Sequence, residues 1–387
     1  MVVGTDDAEE KAFLGANEVA VSEATLTTSG LHRLILSNMH YKIYGACVMP
    51  NWVPRDGDAF VTKDNFVFYT FGCEHPKSRV IAFAKYLPAQ YKELFKIRFL
   101  EKTWKKGKQQ LLRAEKLYTA ENYAAFLEVF RQNFPDYVSH CRFRQKDLIS
   151  VPLKQIREVY APNECLQALL LKKRKDNLQK VATRLLSLLS KKSRVALSDF
   201  GLHGSIALNM HTADSDIDFV VYGANNFRRV ENAVERLVKR NMLNYVFTKR
   251  LDMVKHYKGR FKDKLFVYNA VRKPQEIKAK YGAFKYSSVR PVKFYCEVSD
   301  DREAMFRPAV YVVSNYVPID KGSILTEGAS PNRVVSMIGY YRNVARKGNR
   351  VRVSGMLERV KNVKTNKISF QVVIGSATSE DEYIWPL

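Results

Sequence analysis

The most restrictive feature of the chain is a glycine turn followed, after a short spacer, by two aspartates that alternate with apolar residues. It lies in the segment GLHGSIALNMHTADSDIDFVVYG, residues 201–223, where ten residues separate Gly204-Ser205 from Asp216. The pattern predicts a strand, a turn that opens a short helix, and a second strand. Side chains two residues apart on a strand share a face, so we expect Asp216 and Asp218 to lie side by side.

Two carboxylates at this spacing can hold two divalent cations, which stabilise the attacking and leaving oxygens of an in-line displacement. Magnesium, or manganese in its place, fits because it takes carboxylate oxygens and leaves positions for phosphate and water. Gly204 lets the backbone approach a triphosphate, and Ser205 offers its hydroxyl and the N–H groups of a helix start. The alternative is a surface strand with an acidic end.

This pattern resembles that of the DNA-polymerase-β-like nucleotidyltransferase superfamily. The resemblance implies a metal-dependent transferase that uses an NTP such as ATP, with catalytic, metal-binding roles for Asp216 and Asp218 and nucleotide binding by Gly204 and Ser205. Over most of the chain, the order of elements is also similar to the archaeal predicted-nucleotidyltransferase family, as in RDGDAFVTKDNFVFYTFGCEHP, FRPAVY and GMLERV. That family has no firmly assigned substrate, so the resemblance implies a reaction class only.

Members of the superfamily usually add a third carboxylate from a later strand. In VKFYCEVSD, apolar residues alternate with Tyr295 and Glu297, so we predict Glu297 as the third catalytic carboxylate and metal ligand. Asp252, in a more helix-like context, is the rival, and Asp300 and Asp301 lie close by in the sequence. The remaining alternative is a site with two carboxylates only.

The pattern of elements predicts an α+β protein in four stretches. We expect a flexible tail at 1–30, an N-terminal α/β domain at 31–155, a polymerase-β-like catalytic domain at 156–303 and a small C-terminal β-barrel at 304–387. The barrel could take an oligonucleotide-binding-like (OB-like) form. One long helix is predicted from about Pro162 to Leu189, since leucines recur there at helical spacing.

The charge balance predicts a polyanionic partner. Lys and Arg number 64 against 39 Asp and Glu, a net charge of +25, and nucleic acid is the commonest reason for such an excess. Residues 228–264 alone hold 12 basic and 4 acidic residues with aromatic residues between them. Basic side chains follow phosphates and aromatic rings stack on bases, so this window indicates RNA, single-stranded or tRNA-like. The alternative is a solvated helix face with ordinary core aromatic residues.

Cysteine usage and hydropathy predict a cytoplasmic protein with no membrane partner. The five cysteines are widely spaced without a CxxC pair, which favours reduced thiols over a zinc site or a disulfide framework. No stretch approaches the roughly 20 apolar residues of a transmembrane helix, and the N-terminus lacks a signal-peptide core.

Three functions remain open at the level of sequence. The first is template-independent nucleotidyl transfer to RNA, at a 3′ end. The second is nucleotidyl transfer to a small molecule or a protein side chain. The third is a catalytically inactive nucleic-acid-binding module, which the intact Asp216-Ile217-Asp218 disfavours. The basic charge and the accessory domains favour RNA over a small acceptor.

Overall fold

Three β-sheets organise the residues that the computed structural model describes, namely 52–117, 119–379 and 381–387. These residues belong to one compact unit, Val48–Leu387. The tail predicted at 1–30 and the first part of the domain predicted at 31–155 lie outside the described residues. The mixed α+β class is confirmed.

The first sheet is antiparallel, with strand order β4-β5-β3-β2-β1-β8, and β7 pairs with both β3 and β6. Strands β1 and β2 form a hairpin near its start, with Ala59 opposite Tyr69. One face packs against helix α1 (Ala120–Asn133) around Phe68 and Phe130, whose ring centroids are 5.7 Å apart. The strands are β1 (Ala59–Thr62), β2 (Val67–Thr70), β3 (Arg79–Pro88), β4 (Trp104–Lys106), β5 (Gln109–Leu112), β6 (Val138–Cys141), β7 (Lys146–Pro152) and β8 (Ile156–Tyr160).

Two helices stand where one long helix is predicted, and that prediction is wrong. Helix α2 (Pro162–Leu171) ends before a short basic connection, and helix α3 (Asn177–Ser193) begins after Asp176. Asp176 forms a capping box, in which its Oδ1 accepts from the N–H of Gln179 at 2.9 Å and its own N–H donates to Gln179 Oε1 at 3.3 Å. The cap requires an extended backbone at Asp176 (ψ 176°), so the helix cannot run through it.

The second sheet has the strand order β11-β12-β13-β10-β9. Strands β10 and β13 are parallel, and the other pairs are antiparallel. Helix α5 follows β10 in the chain, and β11, α6 and β12 come before β13. Bounds are β9 (Phe200–Leu202), α4 (Gly204–Ala207), β10 (Ile217–Tyr222), α5 (Ala224–Lys239), β11 (Asn244–Tyr245), α6 (Arg250–Lys255), β12 (Lys258–Phe261) and β13 (Lys264–Val271).

The third sheet closes on itself. Its order is β14-β15-β16-β18-β17-β19, and β14 also pairs with β17, so five strands form a ring to which β19 is added. The ring encloses a core around Phe294, Tyr311 and Val353. The strands are β14 (Phe284–Glu303), β15 (Ala309–Pro318), β16 (Arg333–Ser336), β17 (Arg350–Asn362), β18 (Ile368–Ile374) and β19 (Tyr383–Pro386).

None of the helices in the described part of the chain is long and apolar enough to cross a membrane.

Candidate active site

Gly204 forms the turn between β9 and α4, and only glycine fits there. Its φ is +64°, a left-handed conformation that other residues rarely adopt. A Cβ at this position would lie 2.9 Å from Cγ of Asp218 and closer still to its Oδ2. The turn therefore lies directly against the carboxylate of Asp218. Ser205 follows within the short helix and is buried, and no side chain caps that helix.

The two predicted aspartates lie next to this turn. Asp218 is the second residue of β10 and is half-buried, whereas Asp216 is exposed and just precedes the strand. Ile217, between them, is fully buried, as predicted. Burial raises the pKa of Asp218; the charge of Lys85 opposes the rise and that of Asp216 adds to it. The two carboxylates are therefore close enough to repel each other.

Lys85 brings a positive charge to Asp218 from the first sheet. In the pairing of β2 with β3, Phe68 lies opposite Ala84 and Val67 opposite Tyr86, so Lys85 is the extra residue of a β-bulge. Bulges redirect side chains, often beside functional sites. The Lys85 ammonium lies 4.5 Å from the ring centroid of Tyr69. Burial lowers the pKa of Lys85 to about 8, and the carboxylate of Asp218 opposes that shift.

Two buried nitrogen atoms at the site have no hydrogen-bond partner in the described part of the chain. Nε2 of His203 and Nε of Arg113 are buried and make no hydrogen bond within the described residues. The His203 ring precedes the glycine turn and lies edge-on to Tyr69, at 4.8 Å between centroids. Arg113 follows β5, and its charge acts on Asp218. Burial, with the charges of Lys85 and Arg307, lowers the pKa of His203 well below its ordinary value, so the ring is neutral.

Arg307 ties the ring of strands to the same region. It lies in the loop between β14 and β15, and its guanidinium forms a buried ion pair with Asp56 at 2.6 Å. It also lies 4.9 Å from the ring centroid of Phe83 on β3. The first sheet, the glycine turn and this loop therefore meet around Asp218.

Glu297 lies in a different sheet from the two aspartates. The predicted alternation on its strand is confirmed, because Phe294, Cys296 and Val298 are buried. That strand, β14, belongs to the ring, where Glu297 pairs with Arg350 on β17 and accepts a 3.3 Å hydrogen bond from Asn315. The described contacts do not join Glu297 to Asp216 or Asp218. Its role as a metal ligand stays a prediction.

The other candidate carboxylates already have partners. Oδ2 of Asp252 accepts from the N–H groups of Thr248 and Lys249 at 2.8 and 3.1 Å, which caps helix α6. Asp300 pairs with Arg302 and Asp301 with Arg228.

Part of the basic window at 228–264 serves the protein itself. Arg228 bonds to Asp301 and Asn343, and Arg229 donates to the carbonyl groups of Ser193 and Arg194. These arginines attach helix α5 to neighbouring segments. The charge pattern alone could not distinguish this structural role from a surface that binds phosphates.

The carboxylates of Asp216 and Asp218 suit a magnesium ion whose other ligands come from a bound nucleotide and water. No group of three His, Cys, Asp or Glu side chains suited to a metal ion occurs among the described residues. Magnesium usually binds through one or two carboxylates, substrate phosphates and water. Asp216 and Asp218 supply the carboxylates, and the unpartnered nitrogens of His203 and Arg113 leave polar positions for phosphate or water.

The sequence prediction missed Lys85, Arg113 and His203. The signal for Lys85 was a charged residue inside the strand RVIAFAKYLP, whose other charged residue, Arg79, stands at its start. His203 is adjacent to the motif but is a residue type that the motif does not require. Nothing near Arg113 in the sequence sets it apart from the many other basic residues.

Comparison with known proteins gives two matches. Residues 180–277 match the family model described as a nucleotidyltransferase domain. The chain is also 24% identical, over 354 residues, to the uncharacterized protein MJ1086 of Methanocaldococcus jannaschii, covering 85% of this chain and 98% of that protein. No solved structure matches the chain at a significant level.

Proposed function

We propose that the protein transfers a nucleotide from an NTP to RNA, at its 3′ end and without a template, because residues 180–277 match the model of a nucleotidyltransferase domain. The domain implies nucleotidyl transfer, and its polymerase-β-like relatives typically use divalent metals and NTPs. The observation that carries the proposal is the position of Asp218, held against the turn at Gly204 and faced by Lys85.

In this proposal the acceptor hydroxyl attacks the α-phosphorus and releases its proton to water, the bond from that phosphorus to the oxygen of the β-phosphate breaks, and pyrophosphate leaves. Asp216 and Asp218 would hold magnesium, which would supply positive charge to the attacking and leaving oxygens. The backbone at Gly204 and the hydroxyl of Ser205 bind the β and γ phosphates. Glu297 remains the predicted third ligand, and a site with two carboxylates is the alternative.

Lys85 and Arg113 are proposed to neutralise the triphosphate. Both lie within electrostatic reach of Asp218, and Nε of Arg113 is a buried donor with no partner among the residues that the structure describes. Hydrogen bonds between charged groups are roughly twice as strong as neutral ones. Since Lys85 comes from the first sheet, the N-terminal domain takes a direct part in nucleotide binding.

The ring of strands supports an RNA acceptor. Its order, with β14 beside both β15 and β17 and with β16 parallel to β18, agrees with a five-stranded Greek-key barrel of the OB-like kind. A groove of about 330 Å³ on it is lined by residues that include Phe284, Arg333 and Lys367. Nε of Arg333 is buried without a partner among the described residues, and OB-like barrels bind oligonucleotides beside strands two and three.

The test is a transfer assay with each of the four NTPs labelled at the α-phosphate, magnesium and total RNA. We expect label in the RNA with wild-type protein and with the control Asp214→Asn, an exposed aspartate in the same loop, but not with Asp218→Asn. Nuclease treatment should release the label. Label on the protein or on a small molecule would show that the acceptor is a protein side chain or a small molecule and not RNA. The absence of transfer from any NTP would contradict the proposal as a whole.

A further inference from the structure

A cavity of about 210 Å³ lies between the first sheet and the ring, outside the residues assigned to the metal and the triphosphate. Its walls come from the ends of β2 and β6, the middle of β3, the start of α1, and the segment that leads into β14. Among its lining residues, Phe83 on β3 precedes Lys85 by two positions.

Aromatic rings dominate the walls. Phe143 and Tyr281 meet edge to face with centroids 5.4 Å apart, and the guanidinium of Arg144 lies 4.4 Å from the ring centroid of Tyr286. Tyr123 and Phe284 also line the cavity. All five of these rings are half-buried, and Tyr123 also packs against the core of the first sheet. Half-buried ring faces are the surfaces on which bases of single-stranded nucleic acid stack.

The polar groups of the cavity suit a heteroaromatic ring rather than a hydrocarbon. The carboxylate of Glu74 lines it, and burial raises its pKa against the opposing charges of Arg144, Arg272 and Arg333. A carboxylate accepts from an exocyclic amino group of a base. Arg144 and Lys146 on the wall add positive charge, which suits the phosphates of the same strand.

The cavity adjoins both the candidate active site and the groove on the ring. On one side, the Phe83 ring lies 5.9 Å from that of Tyr69, which contacts His203 beside the glycine turn. On the other side, Phe284 lines both the cavity and the groove that holds Arg333. A strand lying in the groove with its end at Asp218 would pass this cavity.

We propose that the cavity binds one unstacked base of the acceptor strand, within the last three nucleotides before its reactive end. This inference rests on the proposed transfer to RNA and adds how the end is positioned. The size is adequate, since an apolar cavity of about 150 Å³ accepts benzene and this one is larger. Its place between the groove and Asp218 favours an acceptor base over the base of the NTP.

The test uses short single-stranded RNAs that carry 2-aminopurine at one of the last three positions, whose fluorescence falls when the base stacks on an aromatic ring. We expect quenching at one position with wild-type protein and with Tyr281→Phe, and loss of quenching with Tyr281→Ala. An abasic site at that position should weaken binding by about tenfold in wild type and have little further effect in Tyr281→Ala. Phe284→Ala serves as a second variant should Tyr281→Ala not fold.

The outcomes separate this inference from the proposed function. RNA that binds and is extended, but shows no quenching at any of the three positions, overturns the cavity assignment and leaves transfer to RNA intact. Quenching of 2-aminopurine riboside triphosphate that depends on Tyr281, without quenching in the RNA, overturns it in favour of the NTP base. No RNA binding at low salt contradicts both.

Discussion

Lys85 shows how a single residue on the first sheet contributes to a site in the second. It shares a face of β3 with Phe83, which lies opposite Tyr69, and its ammonium lies near Tyr69 and Asp218 at the position of the bulge. A buried ammonium group beside Asp218 is explained if it binds a phosphate of the nucleotide.

We therefore expect Lys85→Met to weaken the binding of a non-hydrolysable NTP by at least about tenfold, since a hydrogen bond to a charged group contributes about 1.5–3 kcal/mol. Isothermal titration in the presence of magnesium measures it. Lys105→Met, at an exposed lysine on β4, is the matched control and should bind normally. Equal affinity of Lys85→Met and wild type would remove Lys85 from the site.

The left-handed backbone at Gly204 and its contact with Asp218 can be separated experimentally. Gly204→Ala should destabilise the fold by more than Gly107→Ala, because Gly107 has a similar φ (+58°) but no neighbour within 4 Å of an added Cβ. The backbone penalty alone is roughly 1–2 kcal/mol. In an Asp218→Ala background the two glycine replacements should become more alike, as measured by denaturant unfolding. Equal effects in the wild-type background would contradict the close contact.

The buried carboxyl of Asp58 should make the free energy of unfolding depend on pH. It is buried, accepts hydrogen bonds from Nε1 of Trp52 and the N–H of Arg55, and has its pKa raised from 3.8 to about 7 by burial. A carboxyl with a raised pKa in the folded state stabilises the fold while protonated. That contribution is complete below the unfolded pKa and is lost as pH rises through the folded one.

Asp58→Asn keeps an acceptor oxygen and cannot ionise. Its free energy of unfolding relative to wild type should therefore rise between about pH 4 and pH 7, by up to an order of 4 kcal/mol, and stay constant above. Urea unfolding at a series of pH values tests this. A difference that does not vary with pH would show that Asp58 titrates normally.

At the scale of elements, the sequence predicted helices and strands correctly where the hydrophobic pattern lay within one continuous segment. The hairpin of β1 and β2, the strand of Asp218, helix α5 and the alternation on β14 all follow from periodicity within one segment. The failure at Asp176 had a visible signal, because Asp176 with Gln179 three residues later is a helix start in mid-pattern. The periodic leucines on either side concealed it.

The break between α2 and α3 also bears on the motif loop. Oδ2 of Asp176 lies 2.9 Å from Nε2 of His211, which stands in the loop before Asp216. Asp176→Ala should lower the free energy of unfolding by about 1 kcal/mol through loss of the cap. Asp176→Ser keeps a capping oxygen and should retain most of that stability in the same unfolding measurement. Equal loss in both variants would place the effect in the contact with His211 instead.

At the scale of the molecule, the sequence could not supply the assembly of the site. Lys85 and Arg113 reach Asp218 from more than a hundred residues away, and Arg307 reaches Lys85 and His203 from the loop of another sheet, so only tertiary packing brings them together. The sequence predicted the strand that carries Glu297, but it could not show that this strand pairs with β17 in the ring and not with the strand of Asp218. The net charge of +25 predicts a polyanion but not the surface that binds it.

The groove on the ring is the surface for which we predict a salt-dependent affinity. The logarithm of RNA affinity should fall with the logarithm of salt at about −0.7 per phosphate contact, and Arg333→Gln with Lys367→Gln should flatten that slope by about 1.4. Fluorescence anisotropy measures it. Lys239→Gln is the control, because Lys239 pairs with Glu235 on an exposed part of α5. A slope that changes only in the control would place the RNA elsewhere.

The central claim is that Asp216 and Asp218 hold the metal and nucleotide beneath the turn at Gly204. A crystal with manganese and a non-hydrolysable NTP tests it most directly, since anomalous scattering locates each ion. We expect manganese within about 2.2 Å of oxygens of both aspartates and of a phosphate, and the same map shows whether Glu297 is a ligand. Nucleotide bound elsewhere, or manganese away from both aspartates, would contradict the account.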